Sequence, residues 1–173
     1  FAAVASQNPD AVFVTGDISV APYLLEHLGA MCDAINKPVY FVLGNHDFYH
    51  GSIADVRAKV KDFCRTHPLL NYLTDISVVA LTQSTALVGH DGWGDSRYGD
   101  YAQSVVRLND HVLIKELTGL IPHTLQQELM RLGTEAAIDP RHTCPPRLSP
   151  PKRERPSSKK RSARALRTQA SGN

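Results

Sequence analysis

Two short apolar runs, each stopping on a glycine followed by polar residues, constrain this chain more than any other feature. Residues 11–15 (Ala-Val-Phe-Val-Thr) end on Gly16-Asp17, and residues 39–43 (Val-Tyr-Phe-Val-Leu) end on Gly44-Asn45-His46-Asp47. Runs this short, rich in β-branched and aromatic residues and closed by glycine, predict buried strands. Between them Pro22 opens a segment in which Leu24, Leu25, Leu28, Met31, Cys32 and Ile35 recur at helical spacing. Strand, helix and strand in this order predict a parallel β-α-β unit, which returns both junctions to one sheet edge. Open α/β sheets keep their sites there.

The residue types at that edge carry chemistry. An asparagine side-chain oxygen ligates hard or borderline metals, and an adjacent imidazole can give a proton or a hydrogen bond to a leaving oxygen. Glycine before each polar residue allows a sharp turn and leaves room for a metal or phosphate to approach the backbone. Gly-Asp alone is an everyday turn. Gly-Asn-His-Asp is not, since at average residue usage its chance occurrence in a chain this long is on the order of one in a thousand. The residues point to a metal-assisted hydrolase.

In these blocks the chain resembles the calcineurin-like metallophosphoesterases, whose pattern runs Asp-x-His, Gly-Asp, Gly-Asn-His-Asp/Glu, an isolated His, then Gly-His-x-His. Gly16-Asp17 is similar to the second block and Gly44-Asn45-His46-Asp47 to the third. The resemblance covers about residues 1–133 and implies an α/β (α+β type) fold, a partial β-sandwich flanked by helices. It further implies two divalent metal ions (Mn, Fe, Zn or Ni) at the strand ends and a phosphate-ester substrate. By the same resemblance Asp17 is the carboxylate bridging the metals, Asn45 ligates the second metal, and His46 is the catalytic histidine. Asp47 is then a catalytic neighbour expected to orient the imidazole ring.

No Asp-x-His precedes Gly16 and no Gly-His-x-His occurs anywhere in the chain. The expectation is a copy incomplete at both ends, with half the metal shell absent and weak or no activity as it stands. A sandwich lacking its second sheet is also expected to expose an apolar face on the first. A noncatalytic, degenerate phosphoesterase-like domain is the alternative from another class.

Composition changes abruptly near Pro140. Residues 140–173 hold ten Lys or Arg against the single acidic Glu154, whereas residues 1–139 hold nine basic and sixteen acidic residues. Six of the eleven prolines fall in the tail, which shows no strand or helix periodicity. Such a segment cannot bury a core and is expected to be disordered. Two readings compete for it: a basic arm meeting nucleic acid or another anionic surface, or sequence foreign to the family, from a reading-frame slip near residues 133–142 or a truncated gene model. Without aromatic residues, an arm of this kind binds nucleic acid through phosphates only, with strong salt dependence.

The remaining expectations concern the scaffold and one loop. Ser52 and Asp55 resemble a capping box before a stripe of Ile53, Val56, Val60 and Phe63. Short strands are predicted at residues 77–81 and 85–88, and helices at 110–117 and 124–132, the last stopped by Gly133. Residues 89–100 form a glycine-rich loop similar to Gly-x-Asp-Gly-Trp loops of bacterial metallophosphoesterases, in which Arg97 and His90 are candidate substrate-binding residues and Trp93 either a platform for a stacked base or a wall of the cleft. His90 is not counted as a metal ligand, because Gly92 stands where a second His would be. Nor is His50, because the turn after His46 breaks the helix its spacing would need. Cys32, Cys64 and Cys144 lack zinc spacing and are odd in number, which suits reduced thiols in a cytoplasmic protein. No apolar run approaches the roughly 18 residues of a membrane helix. No Gly-x-Ser-x-Gly elbow, P-loop or dinucleotide fingerprint supports a competing chemistry.

Overall fold

The computed structural model describes residues 1–138. After a short helix, α1 (Ala2–Ala5), the chain builds two β-α-β units: β1 (Val12–Val14), α2 (Leu24–Ile35), β2 (Val39–Phe41), α3 (Ile53–Thr66) and β3 (Leu70–Tyr72). The three strands form one parallel sheet in the order β1-β2-β3, with Val12 opposite Val39 and Val39 opposite Leu70. A separate antiparallel pair, β4 (Val79–Ala80) and β5 (Ala86–Leu87), pairs Val79 with Leu87, and α4 (Asp110–Leu113) and α5 (Pro122–Ile138) follow. The mixed α/β architecture, a parallel sheet with helices, agrees with the partial fold expected from the sequence. The tail from residue 140, with Cys144, lies outside the described residues.

Alternation along the strands explains the packing. Val39, Phe41, Leu70 and Tyr72 face the core beside the α2 stripe of Leu24, Leu28, Met31, Cys32 and Ile35, all buried. The intervening residues Phe13, Tyr40 and Asn71 occupy the other face. Phe13 is 53% exposed and its ring leans on Tyr40, centroids 5.7 Å apart. Of these three only Phe13 is exposed; Tyr40 and the polar Asn71 are half-buried.

One strand is added to the expected elements and two expectations change. Strand β3 carries no run signal, because it begins at Leu70, directly after Pro68-Leu69, and includes polar Asn71, whose side chain donates to the Leu69 carbonyl at 3.1 Å. The helix at 110–117 stops at Leu113, since Ile114 turns extended to bridge Gly51. Gly133 does not end the last helix but sits inside α5, because a Cβ there would strike the Asp95 Cβ and come within 3.3 Å of the Trp93 carbonyl. Cys32 and Cys64 pack in or against the core, and burial pushes the Cys64 thiol up to about 11.

The segment after α4 is docked onto the start of α3. The His50 amide donates to the Leu113 carbonyl at 2.7 Å and the Lys115 amide to the Gly51 carbonyl at 3.0 Å. Ser52 caps α3 by accepting from the Asp55 amide and donates to Glu116 Oε1 at 2.7 Å. Burial raises the Glu116 pKa, but hydrogen bonds from the Ser52 hydroxyl and the Ile53 and Ala54 amides outweigh it and hold the group low. A lowered folded-state pKa gives stability that is present above the unfolded value and is lost as pH falls through the folded one. Glu116→Gln is therefore expected to be less stable than the parent at pH 7, with the gap closing below about pH 4, as urea midpoints at the two pH values will show. An unchanged gap would place the Glu116 contribution in packing rather than charge.

Candidate active site

The turns after β1 and β2 touch through their glycines. A Cβ on Gly16 would lie 2.5 Å from the Gly44 amide nitrogen, and one on Gly44 would overlap the Asp17 carboxylate. Gly16 and Asp17 both have positive φ, 102° and 54°, a turn that glycine makes freely and aspartate tolerates. The two glycines bring one turn against the other, so the room expected for a metal is first of all room for backbone.

This contact sets the polar groups. The His46 amide donates to Asp17 Oδ1 at 3.2 Å, and His46 Nδ1 stands 3.9 Å from Asp17 Oδ2. Both side chains are about half exposed and the separation is beyond hydrogen-bonding distance, so the pair adds little stability. The His46 ring also rests on the Tyr49 ring, centroids 4.7 Å apart.

Asp47, expected beside the imidazole, instead lies beneath it. Its side chain is fully buried, with Oδ1 accepting from the Ser19 amide at 2.7 Å and Oδ2 from the Gly44 amide at 2.8 Å. Burial raises its pKa while these amides pull the other way. Asp47 thus ties the β1 turn to the β2 turn, because a buried carboxylate must find donors and the backbone supplies them. The groups beside the His46 ring are Asp17 and Tyr49.

Asn45 is held from the side. Its Nδ2 donates to Asp110 Oδ1 at 2.8 Å and to the Tyr49 hydroxyl at 3.2 Å, and that hydroxyl donates to the same Asp110 oxygen at 2.8 Å. Burial and Asp110 push the Tyr49 phenol up to about 12, so it remains a donor at neutral pH. Neither Asp110 nor Tyr49 stood out in the sequence, since Asp110 lies 65 residues from Asn45 and reads locally as the first residue of a helix.

Asp17, Asn45, Asp91, Trp93 and Asp110 line one open cleft of about 490 Å³. Trp93 lines it, the second of its two expected roles, and its ring is tilted 47° to that of Phe48 with centroids 5.8 Å apart. Neither Arg97 nor His90 is among the lining residues. Arg97 is ion-paired to Asp95, with Nε 2.6 Å from Oδ2, and His90 Nδ1 accepts from the Gly92 amide at 3.0 Å. A larger cavity, about 780 Å³, lies between α2, α3 and α4 and takes in His50, Lys59 and Lys115, but none of the paired motif residues.

The loop singled out in the sequence is anchored through the buried side chain of Asp91. Asp91 accepts from the Leu43 amide (2.8 Å), Arg57 Nε (2.9 Å), the Tyr72 hydroxyl (2.5 Å) and the Thr74 hydroxyl (2.8 Å). Arg57 in turn reaches Glu135 of α5 at 2.9 Å. The network fastens the end of β2, one residue before Gly44, to the loop that walls the cleft.

The family model of the calcineurin-like phosphoesterases matches residues 1–149. The chain belongs to the calcineurin-like phosphoesterase family. No curated protein and no solved structure matched it. Membership makes phosphoester hydrolysis the general activity of this phosphoesterase domain and divalent metals the general cofactor of its family. Asp17 and Asn45 fit as two oxygen ligands on a shared cleft, a donor set suited to divalent metals. They are a pair and not a shell: among the described residues no group of three His, Cys, Asp or Glu is placed to hold a metal. No helix among the described residues is long and apolar enough to cross a membrane.

Proposed function

We propose that this phosphoesterase domain is a metal-dependent hydrolase of phosphate esters whose dinuclear metal centre Asp17 and Asn45 would help to hold through their side-chain oxygens. When bound, the metal pair lowers the pKa of water to give a hydroxide and neutralises charge on the phosphate. His46, half exposed beside Asp17 and against the Tyr49 ring but not itself among the residues lining the cleft, donates a hydrogen bond to the phosphoryl oxygens or a proton to the departing alkoxide. Asp47 holds the two turns together beneath it. Arg97 takes part in substrate binding only by exchanging Asp95 for a phosphate, and His90 only by leaving Gly92.

The observation that carries this reading is the contact of the two turns at one sheet edge, which places Asp17 against His46 and opens both Asp17 and Asn45 to one cleft. With manganese and an aryl phosphomonoester or phosphodiester, His46→Ala is expected to lose about 10²- to 10⁴-fold in kcat with KM little changed. Asp17→Ala is expected to abolish turnover and to lower the bound manganese measured by elemental analysis. Undiminished turnover in His46→Ala removes that residue from the mechanism. The noncatalytic reading draws on the incomplete ligand set among the described residues; it predicts phosphate binding without any manganese-dependent turnover.

A further inference from the structure

We propose that Asp110 and Tyr49 clamp the Asn45 amide in one orientation and so are positioning residues for the metal ligand, an inference that rests on the metal reading above. The three polar groups close a triangle: Asn45 Nδ2 to Asp110 Oδ1, Asn45 Nδ2 to the Tyr49 hydroxyl, and that hydroxyl to the same Asp110 oxygen, at 2.8, 3.2 and 2.8 Å. A carboxylate has no proton to give, so only the NH₂ edge of the amide can face it. Flipping the amide would set oxygen against oxygen inside a site where Asp110 is 6% and Tyr49 9% exposed. The planar amide therefore turns its Oδ1 away from Asp110, and no donor among the described residues reaches that oxygen.

The clamp is built by tertiary docking. Residues 113–115, at the end of α4, pair with residues 50–51, and the first residue of α4, Asp110, meets Asn45. Tyr49 serves two neighbours from one side chain: its ring supports His46 and its hydroxyl joins Asn45 to Asp110. Partners that orient a metal ligand typically govern affinity by about 10- to 100-fold when removed.

Two measurements on the full chain separate the clamp from the metal reading. In metal-free protein, NMR of the Asn45 side-chain NH₂ is expected to show slowed exchange and a pair of shifts unlike those of an exposed asparagine, reduced in Tyr49→Phe and lost in Asp110→Ala. Calorimetric titration with manganese is expected to show binding weakened about 10- to 100-fold in Asp110→Ala and less in Tyr49→Phe, which keeps the ring on His46. The exchanged pair Asn45→Asp with Asp110→Asn restores one donor facing one acceptor and is expected to recover most of the affinity. Should Asp110→Ala fail to fold, Tyr49→Phe and the exchanged pair carry the test. An Asn45 NH₂ that exchanges as fast as an exposed one overturns the clamp, as do variants that bind manganese as the parent does. A parent with a protected Asn45 amide but no manganese binding overturns instead the metal reading, and with it the positioning role.

Discussion

Asp91→Ala is expected to remove about 3–5 kcal/mol of stability, the usual consequence of stripping one partner from a buried charge pair. The Asp91 side chain is fully buried, and it is the shared acceptor of a backbone amide, a phenol, a hydroxyl and a guanidinium. Arg57, 19% exposed, keeps Glu135 but loses its buried partner, while the Leu43 amide and Tyr72 hydroxyl lose theirs. Against a total of about 5–15 kcal/mol for a typical domain, that leaves a marginal protein at the lower end of the range and a weakened but folded one at the upper end. Urea unfolding followed by far-UV circular dichroism measures the loss. A midpoint shift equivalent to less than about 0.5 kcal/mol, the range of ordinary surface substitutions, would show that the network is replaceable by water.

Gly44→Ala is expected to damage the site more than the fold. The new Cβ would lie 2.7 Å from the Asp17 amide nitrogen and 2.8 Å from its Cγ. Backbone cannot yield as a flexible side-chain end can, so the β1 turn must shift and take Asp17 with it. Overpacking of this kind typically costs about 1–3 kcal/mol, which most domains survive. The expected result is a folded protein with a lower melting temperature and little affinity for manganese. Parent-like manganese binding in a folded Gly44→Ala protein would show that the approach of the two turns is not what places Asp17.

Periodicity was enough to find α2, because an amphipathic stripe over three turns has one packing solution, and the buried Leu24, Leu28, Met31, Cys32 and Ile35 match it. It was also enough for the capped start of α3, where Ser52 accepts from the Asp55 amide. It failed where local pattern and long-range contact disagree. Gly133 looks like a helix stop in isolation, and only the passage of residues 93–95 against α5 explains a glycine within the helix. Asp47 stands next to His46 in the chain, which suggested a partnership. In a tight turn, neighbouring side chains diverge, and burial sent this carboxylate to the amides below.

The chain's own order of residues determined that Asp17 and Asn45-His46 meet at one edge. Two buried strands joined by a helix must run parallel, and parallel strands end on the same side. Which groups surround that meeting was decided only in three dimensions. Asp110 arrives at Asn45 from 65 residues away because the segment after α4 pairs beside Gly51, and Asp91 reaches Leu43 from 48 residues away. Periodicity describes residues a few positions apart, whereas buried polar groups take whatever donor or acceptor the packed chain brings within hydrogen-bonding distance.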